Sequence, residues 1–330
     1  MHPESTMTLP PWTFIHIADM QPGSPKSFRF RPAWLENWHA ARRQIISLNP
    51  DFLLIGGDVT RDGAIHPWEL EDMKVDLDAM AIPYHVVPGN MDTGNKHTDR
   101  QGPYPDRDDV SLNITSEHLA NWTRVFGDWK WSFTHKNLRV SGFCDMIVNS
   151  GLPEERDLWS WLDAQRALPR AEHHLWLMHY ALFTNTPDEP NWNITRKDQY
   201  HDWYFSIDLP GRQRLLDVFR DTGATRVITG HIHCRKDMTA HNIAFDLAPT
   251  TASGQWAQRW PDGDTTLGFL QYRVEGKTID KQFIPLENPS TRTDGYGPGG
   301  HPLPTARDYS LAWETSPPAL ANRPVFSRPR

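Results

Sequence analysis

Seven side chains able to ligate a cation stand just beyond five apolar runs. Asp19 and Gln21 follow FIHI, Asp58 follows FLLIGG, Asn90 follows YHVVPG, His179 follows HHLWLM, and His231 and His233 follow RVITG. Taken singly, such an Asp or Asn is an ordinary turn residue, and a buried histidine is an ordinary core residue. Five strand ends that all carry oxygen or imidazole groups point to one shared site, because sites in open α/β sheets form beyond the carboxyl ends of the strands. Carboxylate, amide and imidazole donors without cysteine suit manganese, iron, zinc, cobalt or nickel rather than a thiolate zinc site. Asp58 is the natural bridge, since an ionised carboxylate offers two oxygens with spare lone pairs. Two ions about 3.5–4 Å apart would hold a hydroxide between them and clamp both ends of an in-line displacement.

Positioning these donors takes alternating strands and helices, and the chain supplies them. The runs at 14–19, 52–58, 84–90, 173–180 and 226–233 read as strands. Trp34, Leu35, Trp38, Ala41 and Ile45 recur at helical spacing behind Pro32, and Leu158, Trp161 and Leu162 share a face of a helix near 155–168. A third helix over 211–222 carries Leu215, Leu216 and Phe219 and stops at Gly223, a natural residue past a helix end. From 243 to 286 the pattern is all strand. The alternation predicts a layered α/β domain over residues 1–286. Residues 287–330 are too rich in proline for a regular element and form a tail, with Tyr309, Leu311, Trp313 and Phe326 favouring a path along the surface.

Composition narrows the partners. The 330 residues carry a net charge of −7 with no Lys/Arg run, which argues against a nucleic-acid partner. No stretch approaches the roughly 20 apolar residues of a membrane span. The opening MHPESTMTLPPW lacks the basic and apolar regions of a signal peptide. Cys144 and Cys234 are the only cysteines, so no disulfide framework is implied. Cys234 follows His233, but its side chain should point away from its neighbour's, as a structural residue. A soluble cytoplasmic protein is expected; its oligomeric state is not legible.

ADMQ, GGDVT, GNMD, MHY and GHIH occur in the order and spacing of the calcineurin-like metallophosphoesterases, and from about 14 to 286 the chain resembles that family. GHIH matches the family's GHxH and GGDVT its GDxx. Within the family the chain is most similar to a branch that opens with ADxQ; GNMDTGN, Phe126–Gly127–Asp128 to Phe133, and Tyr204–Phe205 match that branch. The resemblance implies a four-layer αββα sandwich around two divalent or trivalent ions, manganese, iron or zinc. It further implies phosphomonoester or phosphodiester hydrolysis by a metal-bridging hydroxide. Carried over by position, Asp19, Asp58 and His233 hold the first ion, with Gln21 where most members have histidine. Asp58, Asn90, His179 and His231 hold the second. Asn90 and His231 would also stabilise charge on the phosphoryl oxygens. The amide of Gln21 is a weaker ligand than imidazole, so the first ion is expected to bind loosely, with Gln21 in or just outside its coordination sphere.

Met91 is the second departure. The family's GNH histidine, which is thought to help protonate the leaving oxygen, is here a thioether with no proton to give. General acid catalysis is typically worth about 10²–10⁴-fold. Three readings stay open: His97 on the following loop supplies the proton, the substrate has a good leaving group, or the site serves other chemistry. That last case covers an iron or manganese enzyme that is not a phosphatase, and an inactive binding protein.

The substrate side is read from the loops. Residues 93–116 and 183–205 follow Asn90 and His179 and should meet over the centre. Trp192, Tyr200, Trp203 and Tyr204 could stack on a substrate, and Arg196 and Lys197 could neutralise a phosphate; the alternative is a surface loop pinned by its own aromatics. SGQWAQRWPDG resembles a pocket region of the branch and adds Gln255, Trp256 and Arg259. The expected substrate is a small phosphorylated molecule.

Overall fold

Along β1 (Trp12–Ile17) the side chains alternate between two apolar layers. Trp12 and Phe14 face one buried cluster while Ile15 and Ile17 face another, the period-2 signature of a strand covered on both sides. The computed structural model describes residues 10–103, 110–255 and 257–307. Among these, the helices are α1 (Pro32–Leu48), α2 (Trp68–Asp78), the single turn α3 (Asn90–Thr93), α4 (Ser116–Phe126), α5 (Pro153–Arg166), α6 (Tyr200–Phe205) and α7 (Gly211–Asp221). The further strands are β2 (Phe52–Ile55), β3 (Tyr84–Val86), β4 (Lys130–His135), β5 (Leu138–Phe143), β6 (His173–Leu177), β7 (Arg226–Thr229), β8 (Lys236–Ala240), β9 (Ile243–Leu247), β10 (Gly268–Glu275) and β11 (Thr278–Pro285).

The strands form two mixed sheets, ordered β11-β10-β1-β2-β3 and β4-β5-β6-β7-β9-β8. Phe14, Phe52, Leu54, Leu138, Val140, Leu175, Leu177, Ile228 and Tyr272 fill the space between them. Phe14 stacks on Phe52 and on Tyr272, with ring centroids 5.3 and 4.7 Å apart. On the outer faces, Trp38, Ala41 and Ile45 of α1 join the layer that holds Ile15, Ile17, Leu53 and Ile55. Leu158 and Leu162 of α5 and Leu215 and Phe219 of α7 lie in the layer with Trp176 and Val227. This is the αββα sandwich expected from the sequence. Pro32 and Pro153 open α1 and α5, where a missing N–H costs nothing. Gly223 ends α7 with φ +71°.

β1, β2 and β3 run parallel, as do β5, β6, β7 and β9, so the ends of β1, β2, β3, β6 and β7 deliver their following residues to one edge of the sandwich. The first part of the tail wraps α1. Ser290 N donates to Asn37 Oδ1, Arg292 pairs with Glu36 at 3.0 Å, and Gly297 N donates to the Phe30 carbonyl. Tyr309, Leu311, Trp313 and Phe326 lie outside the described residues. Among the described residues no helix is long and apolar enough to cross a membrane.

Candidate metal centre

The strand ends turn sharply at the edge. Asp19, Gln21, Asp58, His231 and His233 all adopt positive φ, between 42° and 69°. This left-handed conformation disfavours residues other than glycine and recurs where a site imposes strain. The glycines beside them permit close approach. A Cβ on Gly57 would lie 2.6 Å from His179 Nδ1, and one on Gly230 would lie 2.5 Å from Asp19 Oδ2. Asp92, from GNMD, ties the loops together: it accepts from Thr60 N at 2.9 Å, Thr60 Oγ1 at 2.6 Å and Gly89 N at 2.8 Å.

Two clusters of donors result, with Asp58 in both. Asp58, His179 and His231 offer atoms within 4.8 Å of one another, and so do Asp19, Asp58 and His233. Bonds of roughly 2.0–2.2 Å to a zinc-like ion set donors up to about 4 Å apart, so each cluster closes on a cation with small adjustments. Asn90 Oδ1 completes the cluster of Asp58, His179 and His231, 3.0 Å from His179 Nε2, which is itself 3.3 Å from Asp58 Oδ1.

Backbone carbonyls choose the nitrogen each histidine presents. His179 Nδ1 donates to Gly56 O at 2.7 Å and His233 Nδ1 to Ser253 O at 2.9 Å, leaving both Nε2 atoms for the centre. His231 Nε2 donates to Tyr204 O at 3.0 Å, so its Nδ1 is the free donor. His231 N also binds Asp19 Oδ2 at 2.8 Å, joining the two sheets at the site.

The unmet demand here is for positive charge. Asp19 Oδ1 is buried with no hydrogen bond, although His233 Nε2 stands 3.2 Å away. An orphaned buried oxygen of this kind is costly without a partner, and a cation supplies one. Burial and neighbouring Asp19 push the Asp58 carboxyl above its ordinary range against the pull of His179. Burial alone would lower His179 and His233, yet Asp58 and Asp19 outweigh it and hold both raised. Burial and His179 keep His231 far below the ordinary range, in the neutral form a ligand needs. The residues therefore fit a pair of ions sharing Asp58.

Gln21 is the exception. Its Nε2 donates to Asp58 Oδ2 at 2.7 Å, and its Oε1 accepts from Arg61 Nη1 at 3.2 Å. An arginine only donates and a carboxylate only accepts, so both ends of the amide are fixed with nitrogen facing the centre.

The donors border a cleft of about 190 Å³ whose wall includes Arg29, Arg31, Arg61 and Trp34 together with Met91, Tyr204 and Gln255. The Tyr204 hydroxyl accepts from Asn90 Nδ2 at 3.2 Å, and the Gln255 amide lies 3.2 Å from His233 Nδ1. Arg29 Nη2 lies 3.3 Å from the Met91 sulfur. None of the arginines stood out in the sequence; the alternation in FRFRP is a faint signal at best.

Six expected contacts are elsewhere. His97 is exposed and does not line the cleft, because its neighbour Lys96 turns inward to the Ser206 carbonyl and Asp208. Trp192 packs on Ile194, Tyr200 and Trp203 beneath the loop. Arg196 is exposed and pairs with Asp198, and Arg259 pairs with Asp202. Of the loop aromatics Tyr200 and Tyr204 reach the cleft, whereas Trp203 lies under Lys96, 4.4 Å from its ammonium. Lys197 is exposed, Cys234 is buried beside Trp260 and Phe205, and Trp256 lies outside the described residues.

Residues 13–235 match the sequence model of a family described as calcineurin-like phosphoesterase. The chain belongs to that family. Among curated relatives of this calcineurin-like phosphoesterase, human serine/threonine-protein phosphatase CPPED1 is 26% identical over 282 residues, spanning 77% of this chain and 78% of its own. The Danio rerio protein of the same name is 26% identical over 309 residues, 86% of this chain and 87% of its own. Both agree with the ADxQ branch seen in the sequence. Purple acid phosphatase PPD1 from yellow lupin (Lupinus luteus) seeds shares the fold, with a TM-score of 0.59 at 11% identity over 85% of this chain and 52% of that one. This calcineurin-like phosphoesterase is a dinuclear metal-dependent hydrolase of phosphoric esters.

Proposed function

We propose that the chain is a phosphomonoesterase acting on a small phosphorylated molecule, with its ions, manganese, iron or zinc, held by the residues above. Asp19, Asp58 and His233 would hold one ion; Asp58, Asn90, His179 and His231 would hold the other. The observation that carries this reading is Asp58, whose carboxylate stands in both donor clusters. Bound there, the two ions would polarise the phosphoryl oxygens and raise the acidity of the attacking water.

The chain's own groups do the rest. Asp58 stands in both donor clusters, and the carbonyls of Gly56, Ser253 and Tyr204 keep the three histidines from turning. Tyr204 fixes the Asn90 amide, so that its oxygen stays aimed at His179. Arg29 is locked in place by Asp62, which accepts from both its guanidinium and its backbone N–H, and it sets a fixed positive charge beside Met91. It can steady charge on a phosphoryl or leaving oxygen but holds its proton too tightly to give it up. Met91 gives none either. Leaving groups that depart as stable anions therefore suit this site best. Arginine-rich walls favour a dianionic monoester over a monoanionic diester. A cytoplasmic location fits two buried, unpaired cysteines.

Phosphate release from p-nitrophenyl phosphate and from bis-p-nitrophenyl phosphate, with manganese, tests the reading. Faster turnover of the monoester, abolished in Asp58→Asn, is expected. A preference for the diester refutes the monoesterase assignment, and no turnover of either ester with manganese, iron or zinc refutes hydrolysis at this centre.

A further inference from the structure

Two guanidinium groups beside the metal centre, those of Arg31 and Arg61, form no direct ion pair among the described residues. Arg29 is neutralised by Asp62, whose side chain is fully buried. Arg31 and Arg61 line the same cleft, yet among the described residues neither forms an ion pair. Arg61 spends its hydrogen bonds on neutral acceptors, the Arg29 carbonyl and Gln21 Oε1. The Arg31 guanidinium, on an exposed residue at the cleft's edge, makes no hydrogen bond among the described residues; it and Arg61 both lie over Trp34, with guanidinium carbons 5.1 and 4.5 Å from the ring centre. Like charges brought together on a low-dielectric floor repel one another unless an anion joins them.

The surroundings hold this arrangement in place. Arg29 and Arg31 sit on the segment between β1 and α1. That segment is bonded to the tail, where Gly297 and Gly299 donate to the Phe30 and Phe28 carbonyls. Arg61 follows Asp58 by three residues, so its position is set by the same turn that sets the shared carboxylate. Asp58, Asn90, Arg31 and Arg61 line one and the same cleft.

We propose that Arg31 and Arg61, over Trp34, form an anion subsite that takes a second negative group of the substrate, a phosphate or a carboxylate, while the scissile phosphoryl group lies at the metal centre. This rests on the phosphohydrolase reading and adds the substrate class: small molecules bearing a phosphate ester and one further anionic group. Both groups belong to one molecule, and the subsite acts mainly on binding.

Matched probes test it. Phosphate release is measured for fructose 1,6-bisphosphate against fructose 6-phosphate, and for 3-phosphoglycerate against glycerol 3-phosphate, with p-nitrophenyl phosphate as the control. A charge-assisted hydrogen bond predicts kcat/KM higher by about 10- to 100-fold for the anionic member of at least one pair, chiefly through KM. Which pair responds separates a phosphate subsite from a carboxylate one. The preference should shrink as salt rises, fall towards unity in Arg31→Ala, and be partly kept in Arg31→Lys. Equal turnover within both pairs, alongside hydrolysis of p-nitrophenyl phosphate, overturns the subsite and leaves the phosphatase reading standing. A preference that survives Arg31→Ala undiminished also overturns it. Faster turnover of an acidic phosphoserine peptide than of every small probe overturns the small-molecule assignment. No phosphate from any compound ends both proposals.

Discussion

Replacing Gln21 with histidine should strengthen the weaker of the two metal sites, and the structure sets the scale. The Gln21 amide turns its nitrogen toward Asp58 and His233, at 2.7 and 3.5 Å, and Arg61 holds its oxygen away. The cluster at Asp19, Asp58 and His233 thus has three donors, one of them a carboxylate already accepting a hydrogen bond from Gln21. The cluster at Asp58, Asn90, His179 and His231 has four. Losing a supporting group outside the coordination sphere typically costs about 10–100-fold in metal affinity, so a missing donor should cost at least that much. Calorimetric titration of the metal-free protein with manganese should resolve two affinities differing by about 100-fold, roughly 2.7 kcal/mol. In Gln21→His the weaker affinity should rise at least about 10-fold while the stronger one moves little. Two equal affinities in the unaltered protein, or a weaker site untouched by the substitution, would refute the argument from the amide.

Met91→His should raise turnover of alkyl phosphates more than that of p-nitrophenyl phosphate, whose phenolate needs no proton. About 10-fold is expected, below the usual range of about 10²–10⁴-fold for general acid catalysis, because Arg29 beside residue 91 disfavours a protonated imidazole. Equal change for both ester classes would count against Met91 as the missing acid. Lys96→Met should lower stability by about 1–3 kcal/mol in urea unfolding, since it strips Asp208 and the Ser206 carbonyl of a buried partner. An unchanged midpoint would deny Lys96 its role in holding the chain at Ser206 and Asp208. His174 is buried, bonded to Ser141 and Thr222, and desolvation lowers it to about 4. The unfolded chain binds its proton first as pH falls, so stability is whole above about 6.5 and drains between 6.5 and 4 by up to about 3 kcal/mol. His174→Gln should flatten the melting temperature over that window relative to the unaltered protein; parallel pH profiles would refute it.

The convergence of the candidate metal donors was legible because each closes an apolar run, and topology alone brings the ends of parallel strands to one edge. Asp19, Asp58, Asn90, His179, His231 and His233 needed no knowledge of side-chain direction. The cleft walls did. Arg31 and Arg61 meet over Trp34 only because the segment between β1 and α1 folds back against the turn after Asp58, a tertiary contact that leaves no periodicity. Nearness in sequence misled for His97, whose direction is decided by the inward pull on Lys96, and for Arg196 and Arg259, each claimed by an aspartate of the 183–205 loop. Tyr204 succeeded because α6 carries it to both Asn90 and His231. Gln21 was legible as an odd ligand, but the direction of its amide depends on Arg61 and could only be seen in the fold.

The central claim is that one carboxylate, Asp58, serves two cations. Emission spectroscopy on the protein dialysed to equilibrium against manganese above the weaker site's Kd, with the buffer's manganese subtracted, measures it directly. The account predicts about two ions per chain, falling to one or fewer in Asp58→Asn with the fold retained. A single ion per chain in the unaltered protein, or two ions undisturbed by Asp58→Asn, would contradict it.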